Sequence, residues 1–547
     1  MYLQKKFSPT LKLLLEKPLA LREELSAAFP LSIAGAEEIK VIKSFCDHST
    51  LSKKLYIRMF TRKFTWHRVS DIKYEEIGQD MSEVFHELEF RDYVSSDYSK
   101  EELNVLFDML KAAEVKTLCK EFHLQDSCGT KLKHVQILLK YVTSQRTLSG
   151  ASDSKTILRK RIGEMLGHCI KLCDIPREIF RRVLMVYTLP QQQITENDLY
   201  VQLLMMHAVQ RGTTKFPEYS VLKTGHIFIS RDEAVMFQKA YELKQSLQEA
   251  IARKDWKVAQ NITFTASEEF RLVLQDNAQT SRARELPFFL RRFTSGSIYA
   301  HALNEGIDTL KKDKGFLVEC VTLLEMLIDQ DIYLLHYRGF WYEKLALLLQ
   351  HHLHNATQAA DVIIKAMNDS HVNEVQQYTI NSRGLKLHDL KKGGLNKNMK
   401  RKLYHNLNEA LDSPPNITIK AKSVPNYGAG LKRVYVEEDE VEHTTTYSSV
   451  EEFALSYYQK QGFIRGQHTE GIVSLGPKLL AKICERLIKN YRMARSGFPD
   501  LLVWSPNQLK FKFVEVKGPN DHLSDNQILW LDFLSNAGAD VEVCHIK

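Results

Sequence analysis

Three side chains with the chemistry of phosphodiester hydrolysis stand close to the carboxyl end of the chain. Asp500 precedes one apolar run, and Glu515 and Lys517 lie at the end of the next. Carboxylate oxygens are the ligands that Mg²⁺ and Mn²⁺ prefer, and such an ion polarises a phosphoryl oxygen and activates water. A lysine beside them can hold that water or stabilise the developing charge. We therefore expect a metal-dependent phosphodiesterase with catalytic Asp500, Glu515 and Lys517, in which the two carboxylates bind the metal.

The two apolar runs have the composition of β-strands joined by a hairpin. Residues 501–504 and 511–516 are rich in β-formers, and the Ser-Pro-Asn sequence at 505–507 is a turn signal. A hairpin of this length brings the ends of its two strands together. We therefore expect Asp500 to lie beside Glu515.

The second strand fixes which groups face the ion. Because side chains alternate along a strand, Glu515 and Lys517 share one face. Val516 then points into the core, and its carbonyl is left as a further metal ligand.

The order of these residues resembles a known superfamily. Pro499-Asp500, a hairpin-length gap and then Glu515-Val516-Lys517 are similar to the PD-(D/E)XK nucleases. The wording around them, EVKGPND followed by LSxxQxxWL, resembles the VRR-Nuc branch and within it the Fanconi-associated nucleases; the second motif comprises Leu523, Ser524, Gln527, Trp530 and Leu531. The resemblance implies an α/β nuclease domain with Mg²⁺ or Mn²⁺ as cofactor.

An upstream segment completes the resemblance. Ser449 is an N-cap signal for an amphipathic helix that ends near Gly462. The chain then presents His-Thr-Glu-Gly, and the resemblance implies that Glu470 is the remaining metal ligand. Animal members of the family carry a longer, largely helical insertion between this Glu and Asp500. Here the connection is shortened to a basic amphipathic segment at 477–493, for which the spacing predicts a helix.

Composition fits a multi-domain protein of a reducing compartment. The chain has 547 residues, enough for roughly three to four domains. Its 75 basic residues are offset by 67 acidic ones, so any nucleic-acid surface must be built from local clusters. The eight cysteines are scattered without a CxxC pair, which argues against a disulfide framework or a zinc finger. The N-terminal apolar run is too short for a membrane span, so we expect a nuclear protein with no membrane partner.

Two basic helical regions precede the rest of the chain. Residues 1–97 are interpreted as an N-terminal helical DNA-binding region, in which a helix over 51–69 would align Lys54, Arg58 and Arg62 as one stripe. Residues 98–148 resemble a SAP module, a small helical DNA binder. The resemblance implies that four of its lysines face phosphates: Lys116, Lys120, Lys131 and Lys133.

The remaining boundaries follow from helical periodicity. Residues 149–235 are a connecting region with a strand pair near 221–229, and 236–405 are a TPR-like helical array. Within the array, Arg338 stands where relatives place an Arg-rich run that helps to bind a 5′-terminal phosphate, although Phe340 replaces the second arginine. The VRR-Nuc domain then occupies 406–547.

The expected fold is a multi-domain, mainly α protein with a C-terminal α/β PD-(D/E)XK nuclease domain and with SAP-like and TPR-like modules upstream. The resemblance implies a 5′ flap endonuclease and 5′-to-3′ exonuclease that acts on branched or flapped DNA in interstrand crosslink repair, with DNA-repair proteins as partners. Two alternatives stay open. One is a non-catalytic scaffold that binds branched DNA, and the other is a junction resolvase of the same superfamily.

Overall fold

The computed structural model describes most of the chain, namely residues 35–75, 77–78, 80–124, 129–144, 154–188, 208, 212–215, 227–390, 394–425, 433–436, 447–465, 475–489, 491–507 and 510–547. The chain divides into two compact units. One comprises Met1–Val258 and Glu268–Ala302, and the other comprises Ala259–Ser267 and Leu303–Lys547. Within the described ranges, no helix has the length and apolar content that crossing a membrane requires.

The first unit begins with short helices around a small sheet. Its helices up to the array are α1 Ala36–Cys46, α2 Thr50–Phe60, α3 Ser82–Phe90, α4 Leu103–Met109, α5 Ala112–Glu121, α6 Lys131–Ser144, α7 Ser154–Leu166 and α8 Asp174–Thr188. The strands are β1 His67–Arg68, β2 Val94–Ser95 and β3 Cys169–Leu172. They pair in the order β1-β3-β2, and both pairs are antiparallel.

The predicted helix over 51–69 is wrong in its second half. α2 ends at Phe60, where the N–H of Thr61 still donates to the Ile57 carbonyl. The chain then turns because Trp66 is buried in the neighbouring core and the next two residues pair with β3. The strand pair expected near 221–229 falls largely outside the described residues, and the short strand β3 was not predicted.

The SAP-like segment folds as the three helices that its pattern predicts. α4, α5 and α6 share one core with α7, built on Leu106, Phe107, Leu118 and Leu138. Arg68 donates two 2.7 Å hydrogen bonds to the Glu114 carboxylate and so ties α5 to strand β1. The SAP identity of 98–148 stays a prediction, but its helical content is confirmed.

The helical array has the expected succession of helices. They are α9 Arg231–Ala252, α10 Trp256–Gln275, α11 Asn277–Glu285, α12 Ser295–Leu310, α13 Leu317–Asp329, α14 Arg338–Leu347, α15 Ala356–Met367, α16 Glu374–Asp389 and α17 Lys397–Tyr404. A π-helical turn at Leu348–His352 follows α14. Gly339 lets α14 approach α16 closely, because a Cβ there would lie 2.3 Å from Oε1 of the buried Gln376.

The C-terminal domain is an α/β fold with a five-stranded sheet. Its strands are β4 Asn416–Ile419, β7 Ile464–Arg465, β8 Leu501–Ser505, β9 Lys510–Lys517 and β10 Val541–Ile546, in the order β4-β10-β9-β8-β7. A separate hairpin joins β5 Lys422–Pro425 to β6 Arg433–Val436. The helices are α18 Val450–Lys460, α19 Gly476–Lys489, α20 Tyr491–Ala494 and α21 Asp525–Asn536. The predicted hairpin, the Ser449 cap and the helix within 477–493 are confirmed.

Helices cover both faces of this sheet. α18 packs on one face through Phe453 and Tyr458, against Val514 and Val516 of β9. α19 and α21 cover the other face, where Trp530 and Phe513 belong to one core. Successive residues of β9 therefore face different helices, as strand geometry requires.

Candidate active site

Asp500 and Glu515 meet at the open end of the β8–β9 hairpin. The last antiparallel pair is Leu501 with Val514, so one further step of the same register sets Asp500 opposite Glu515. Both carboxylates belong to the face covered by α21. The N–H of Val516 donates to Oδ2 of Asp500 at 2.9 Å, which fixes one carboxylate against the strand that carries the other.

The segment before β8 is held by α21. Gly497 has a φ of +84°, and a Cβ there would lie 2.7 Å from Cβ of Asn526, so only glycine fits this approach. Phe498 then packs edge-on against Trp530, with ring centroids 5.0 Å apart. These contacts explain why the Gly-Phe-Pro-Asp sequence presents Asp500 at the sheet edge.

Glu515 is a buried carboxylate with one oxygen that has no partner. Its residue is 1% exposed, and its Oε2 atom is buried without a hydrogen bond. Burial raises the pKa of Glu515 to about 7; the negative charge of Asp500 adds to the rise, and Lys517 opposes it. An unsatisfied buried carboxylate oxygen is costly, and such groups cluster where a protein binds an ion or a substrate.

Lys517 and Gln527 complete the cluster. The Lys517 ammonium lies 3.1 Å from Oε1 of Glu515 and donates to Oε1 of Gln527 at 3.0 Å. The Gln527 amide in turn donates to Oε1 of Glu515. Gln527 of α21 therefore contacts both Glu515 and Lys517, which were predicted to be catalytic, and this contact was not predicted from the sequence.

A sequence signal for Gln527 exists, because Ser524-x-x-Gln527 is a capping box. The Ser524 N–H donates to Oε1 of Gln527 at 2.8 Å, and the Gln527 N–H donates to the Ser524 hydroxyl at 3.4 Å. The same side chain thus caps α21 and reaches into the site.

The donor set fits a hard divalent cation. Asp500 is exposed at the rim, and the unpartnered oxygen of Glu515 lies buried beside it. Across the described ranges, no group of three or more His, Cys, Asp or Glu residues is arranged to hold a metal. The predicted third acid, Glu470, lies outside those ranges. The metal roles of Asp500, Glu515, Glu470 and the Val516 carbonyl all stay predictions.

Of the seven predicted DNA-binding residues in the first unit, three are exposed and four are half-buried. Lys54 and Arg58 are on α2, whereas Arg62 follows the helix, and both arginines lie over the Tyr74 ring at 5.5 and 5.2 Å. A continuous helical stripe is therefore not formed. The guanidinium groups of Arg58 and Arg62 instead both contact the Tyr74 ring.

The SAP-like lysines differ in their surroundings. Lys116 and Lys120 are exposed one turn apart on α5, and Lys133 is exposed on α6. Lys131 is half-buried, and its ammonium donates to the Asp108 carbonyl at 3.1 Å. Three of the four lysines thus present their charge to solvent.

The DNA-binding role of Arg338 stays a prediction, and in the structure its guanidinium is engaged by the protein itself. Its guanidinium bonds to Asp369 through Nε at 2.7 Å and Nη2 at 2.6 Å, and Nη1 donates to the carbonyls of Ile328 and Gln330. The side chain is only 13% exposed. The structure therefore gives Arg338 a structural role inside the array, because its fork is occupied by the protein itself.

Family models match three parts of the chain. The VRR-NUC domain matches residues 448–547, the Fanconi-associated nuclease 1 TPR domain matches 233–388, and the FAN1 HTH domain matches 31–95. In these three parts the chain is similar to the Fanconi-associated nucleases. The HTH match gives the N-terminal helical region an identity that the sequence pattern did not supply.

Relatives of this family align with most of the chain. Fanconi-associated nuclease 1 of Ailuropoda melanoleuca is 28% identical, and the alignment covers 93% of this chain and 59% of the relative. The protein of Danio rerio is 28% identical with 62% of its length covered, and that of Homo sapiens is 27% identical with 60% covered. The chain thus spans about three fifths of the length of these Fanconi-associated nucleases.

Solved structures share the fold. A crystal structure of paFAN1 bound to 2nt 5′flap DNA with gap superposes with a TM-score of 0.59 at 15% identity, covering 98% of both chains. A second, with 1nt 5′flap DNA, gives a TM-score of 0.56. The multi-domain, mainly α architecture with a C-terminal α/β nuclease domain is confirmed.

Proposed function

We propose that this chain is a structure-selective, metal-dependent DNA nuclease that cuts 5′ flaps and degrades DNA from 5′ ends. The observation that carries the proposal is the buried, unpartnered Oε2 of Glu515 opposite Asp500. A purely structural carboxylate has its oxygens satisfied, whereas a cation ligand needs one free. The similarity to Fanconi-associated nucleases and the 5′-flap DNA in the paFAN1 structures support the substrate class.

Different residues of the site would bind the metal, stabilise charge and position the other side chains. Asp500 and Glu515 would hold Mg²⁺ or Mn²⁺, with Glu470 and the Val516 carbonyl as further ligands. The bound ion would lower the pKa of a water molecule and polarise the phosphate. Lys517 places a positive charge 3.1 Å from Glu515, where it can hold the attacking water or stabilise the negative charge of the transition state. Gln527 contacts both Lys517 and Glu515 and so fixes their relative position.

We assign binding of branched or flapped DNA to basic residues of the first unit. Lys54, Arg58 and Arg62 would contact the phosphate backbone from the N-terminal region, and the exposed SAP-like lysines Lys116, Lys120 and Lys133 would do so from 98–148. In the cell we propose a role in interstrand crosslink repair in the nucleus, with DNA-repair proteins as partners.

A cleavage assay on a labelled panel tests this function. The full chain is incubated with 5′ flaps, 3′ flaps, nicked duplexes and four-way junctions, with Mg²⁺, Mn²⁺ or a chelator. We expect cleavage of 5′ flaps that requires either ion. Binding of flaps without cleavage in the presence of either ion would favour the scaffold alternative. Paired symmetric nicks in four-way junctions would favour a resolvase.

A further inference from the structure

Helix α17 carries an exposed basic stripe that the proposed active site does not use. Lys397 and Arg401 lie one turn apart, and Tyr404 continues the same face three residues later. All three are exposed, and Tyr404 is exposed to 57%. The helix contains four cationic side chains, which differ in whether the protein itself engages them.

Two other lysines of α17 are engaged by the protein itself. The Lys402 ammonium lies 2.7 Å from Oδ1 of Asp361 on α15, and the Lys400 ammonium donates to the Leu390 carbonyl at 3.3 Å. Lys397 and Arg401, in contrast, have no acidic partner among the residues that the structure describes. The helix therefore separates cations that stabilise the array from cations that face solvent.

The stripe is held in a fixed position. Leu403 is fully buried where α17 packs against α15 and α16. The ring of Tyr404 lies 5.5 Å from that of His388 on α16, so the last turns of the two helices meet. Asn396 caps the first turn by accepting from the Met399 N–H at 2.8 Å. A cation pair on such a helix keeps its spacing, which favours contacts along a regular polyanion.

α16 also connects this surface to the nuclease domain. The Thr379 hydroxyl donates to Asp525 at the start of α21, and Arg486 of α19 pairs with Glu374 at 3.2 Å. α21 carries Gln527, which orients the catalytic side chains. A strand bound on α17 would thus be held within the compact unit that contains the active site.

We propose that Lys397, Arg401 and Tyr404 form a binding surface for the DNA phosphodiester backbone. The proposal rests on the proposed function, since it takes the polyanion to be the DNA that the nuclease cuts. Two exposed cations one turn apart complement successive phosphates, and an exposed aromatic side chain beside them suits a sugar or base. Contacts of this kind fix the position of the DNA without reading its sequence.

Matched variants on one helix test the proposal. Lys397→Gln/Arg401→Gln is compared with Lys400→Gln/Lys402→Gln, which removes the same charge from the same helix. Binding of a labelled 5′-flap duplex is measured for the full chain in an Asp500→Ala background over a range of salt. We expect the first pair to lower the slope of log Kd against log salt by about 1.8. Its loss of affinity should be about twelve times larger at 50 mM than at 200 mM salt. The second pair should change the slope by much less than one unit.

The outcomes separate this inference from the proposed function. Equal slopes for the wild type and the Lys397/Arg401 variant, with circular dichroism unchanged, would overturn the stripe while leaving flap cleavage by the wild type intact. A Lys397/Arg401 variant that binds flap DNA normally but no longer binds polyglutamate would assign the surface to an acidic protein segment. This outcome would also overturn the proposal. A wild type that cuts no DNA would instead overturn the proposed function.

Discussion

Strand β9 carries a polar cluster on each of its two faces, and the clusters differ in how completely they are satisfied. On the α18 side, Lys512 lies 2.9 Å from Oε2 of Glu542, and the Tyr458 hydroxyl donates to Oε1. On the α21 side, Lys517 and Gln527 both contact Oε1 of Glu515, and Oε2 has no partner. In each cluster a lysine of β9 pairs with a glutamate, which is Glu542 of β10 in the closed cluster and Glu515 of β9 itself in the open cluster.

The unpartnered oxygen of Glu515 distinguishes the α21 face of the sheet from the α18 face. A buried carboxylate whose two oxygens are both bonded stabilises the fold, and nothing in the cluster calls for a ligand. The open cluster costs stability, because burial and the neighbouring Asp500 disfavour the charged form of Glu515. A protein that keeps such a cost at the end of a sheet uses it for binding or chemistry. Fold geometry alone would not separate the two faces.

The largest expected effect concerns cleavage. Asp500→Ala or Glu515→Ala should lower flap cleavage by on the order of a thousandfold or more, because each removes a carboxylate from the metal shell. DNA affinity should stay within a few-fold of the wild type, since phosphate contacts dominate binding. Rates and Kd values are measured on the same labelled 5′ flap with Mn²⁺.

Glu542→Gln is the matched control on the other face. It keeps the shape of the closed cluster and should leave the cleavage rate within about twofold, while lowering stability by about 1–3 kcal/mol. A large loss of activity in Glu542→Gln, or normal cleavage by Glu515→Ala, would erase the distinction between the two clusters.

The second prediction extends the comparison to Arg338, whose charge is also satisfied internally. Replacing it with Met should destabilise the array by up to about 3–5 kcal/mol, because the largely buried Asp369 would lose its arginine partner and keep only the Tyr342 hydroxyl and the His371 N–H. Arg338→Met/Asp369→Leu should recover part of that loss. Urea denaturation checks both variants. If Arg338→Met instead keeps its stability and removes a preference for 5′-phosphorylated flaps, the side chain contacts the terminal phosphate after all.

The third prediction concerns pH in the absence of divalent ions. The pKa of Glu515 is raised in the folded protein to about 7 from an ordinary value near 4.5, so its stabilising contribution is present below about pH 4.5 and is lost as pH rises through about 7. Glu515→Gln does not lose stability in this way, because glutamine does not ionise. We therefore expect the variant to gain up to roughly 3 kcal/mol relative to the wild type between pH 5 and 8.

Thermal midpoints of the two proteins, measured in chelator, give this difference curve. Added Mn²⁺ should shrink it at pH 8, because the ion binds the charged form of Glu515 in the wild type and stabilises it. A flat difference curve would mean that Glu515 ionises as easily as an exposed glutamate, and the open cluster would lose its energetic basis.

Sequence reasoning reached the open cluster but could not tell how it is held. The hairpin and its register were predictable, because β-formers flank a turn signal and the alternation of side chains then fixes the faces. Gln527 is part of the sequence motif, but the motif did not predict that its side chain both caps α21 and contacts Glu515. That double use depends on how α21 packs, which periodicity does not encode.

Two other residues show a second limit of pattern reading. Arg62 fits a helical spacing with Arg58, but tertiary burial of Trp66 ends the helix first. Arg338 has the residue type of a phosphate ligand, but its charge is neutralised by Asp369, which lies 31 positions later in the chain. Whether a surface cation is available to DNA is therefore decided by long-range partners.

The smallest expected effect applies the same distinction to the SAP-like lysines. Lys116→Gln/Lys120→Gln removes two exposed charges on α5, and each lost phosphate contact should flatten the dependence of log Kd on log salt by about one unit. Lys131→Gln is the control, because its ammonium already donates to the Asp108 carbonyl, and its slope should stay near that of the wild type. Fluorescence anisotropy on a flap duplex measures both. A slope that falls equally for Lys131→Gln would show that internal hydrogen bonding does not withhold a lysine from DNA, and the comparison would then hold only for buried clusters.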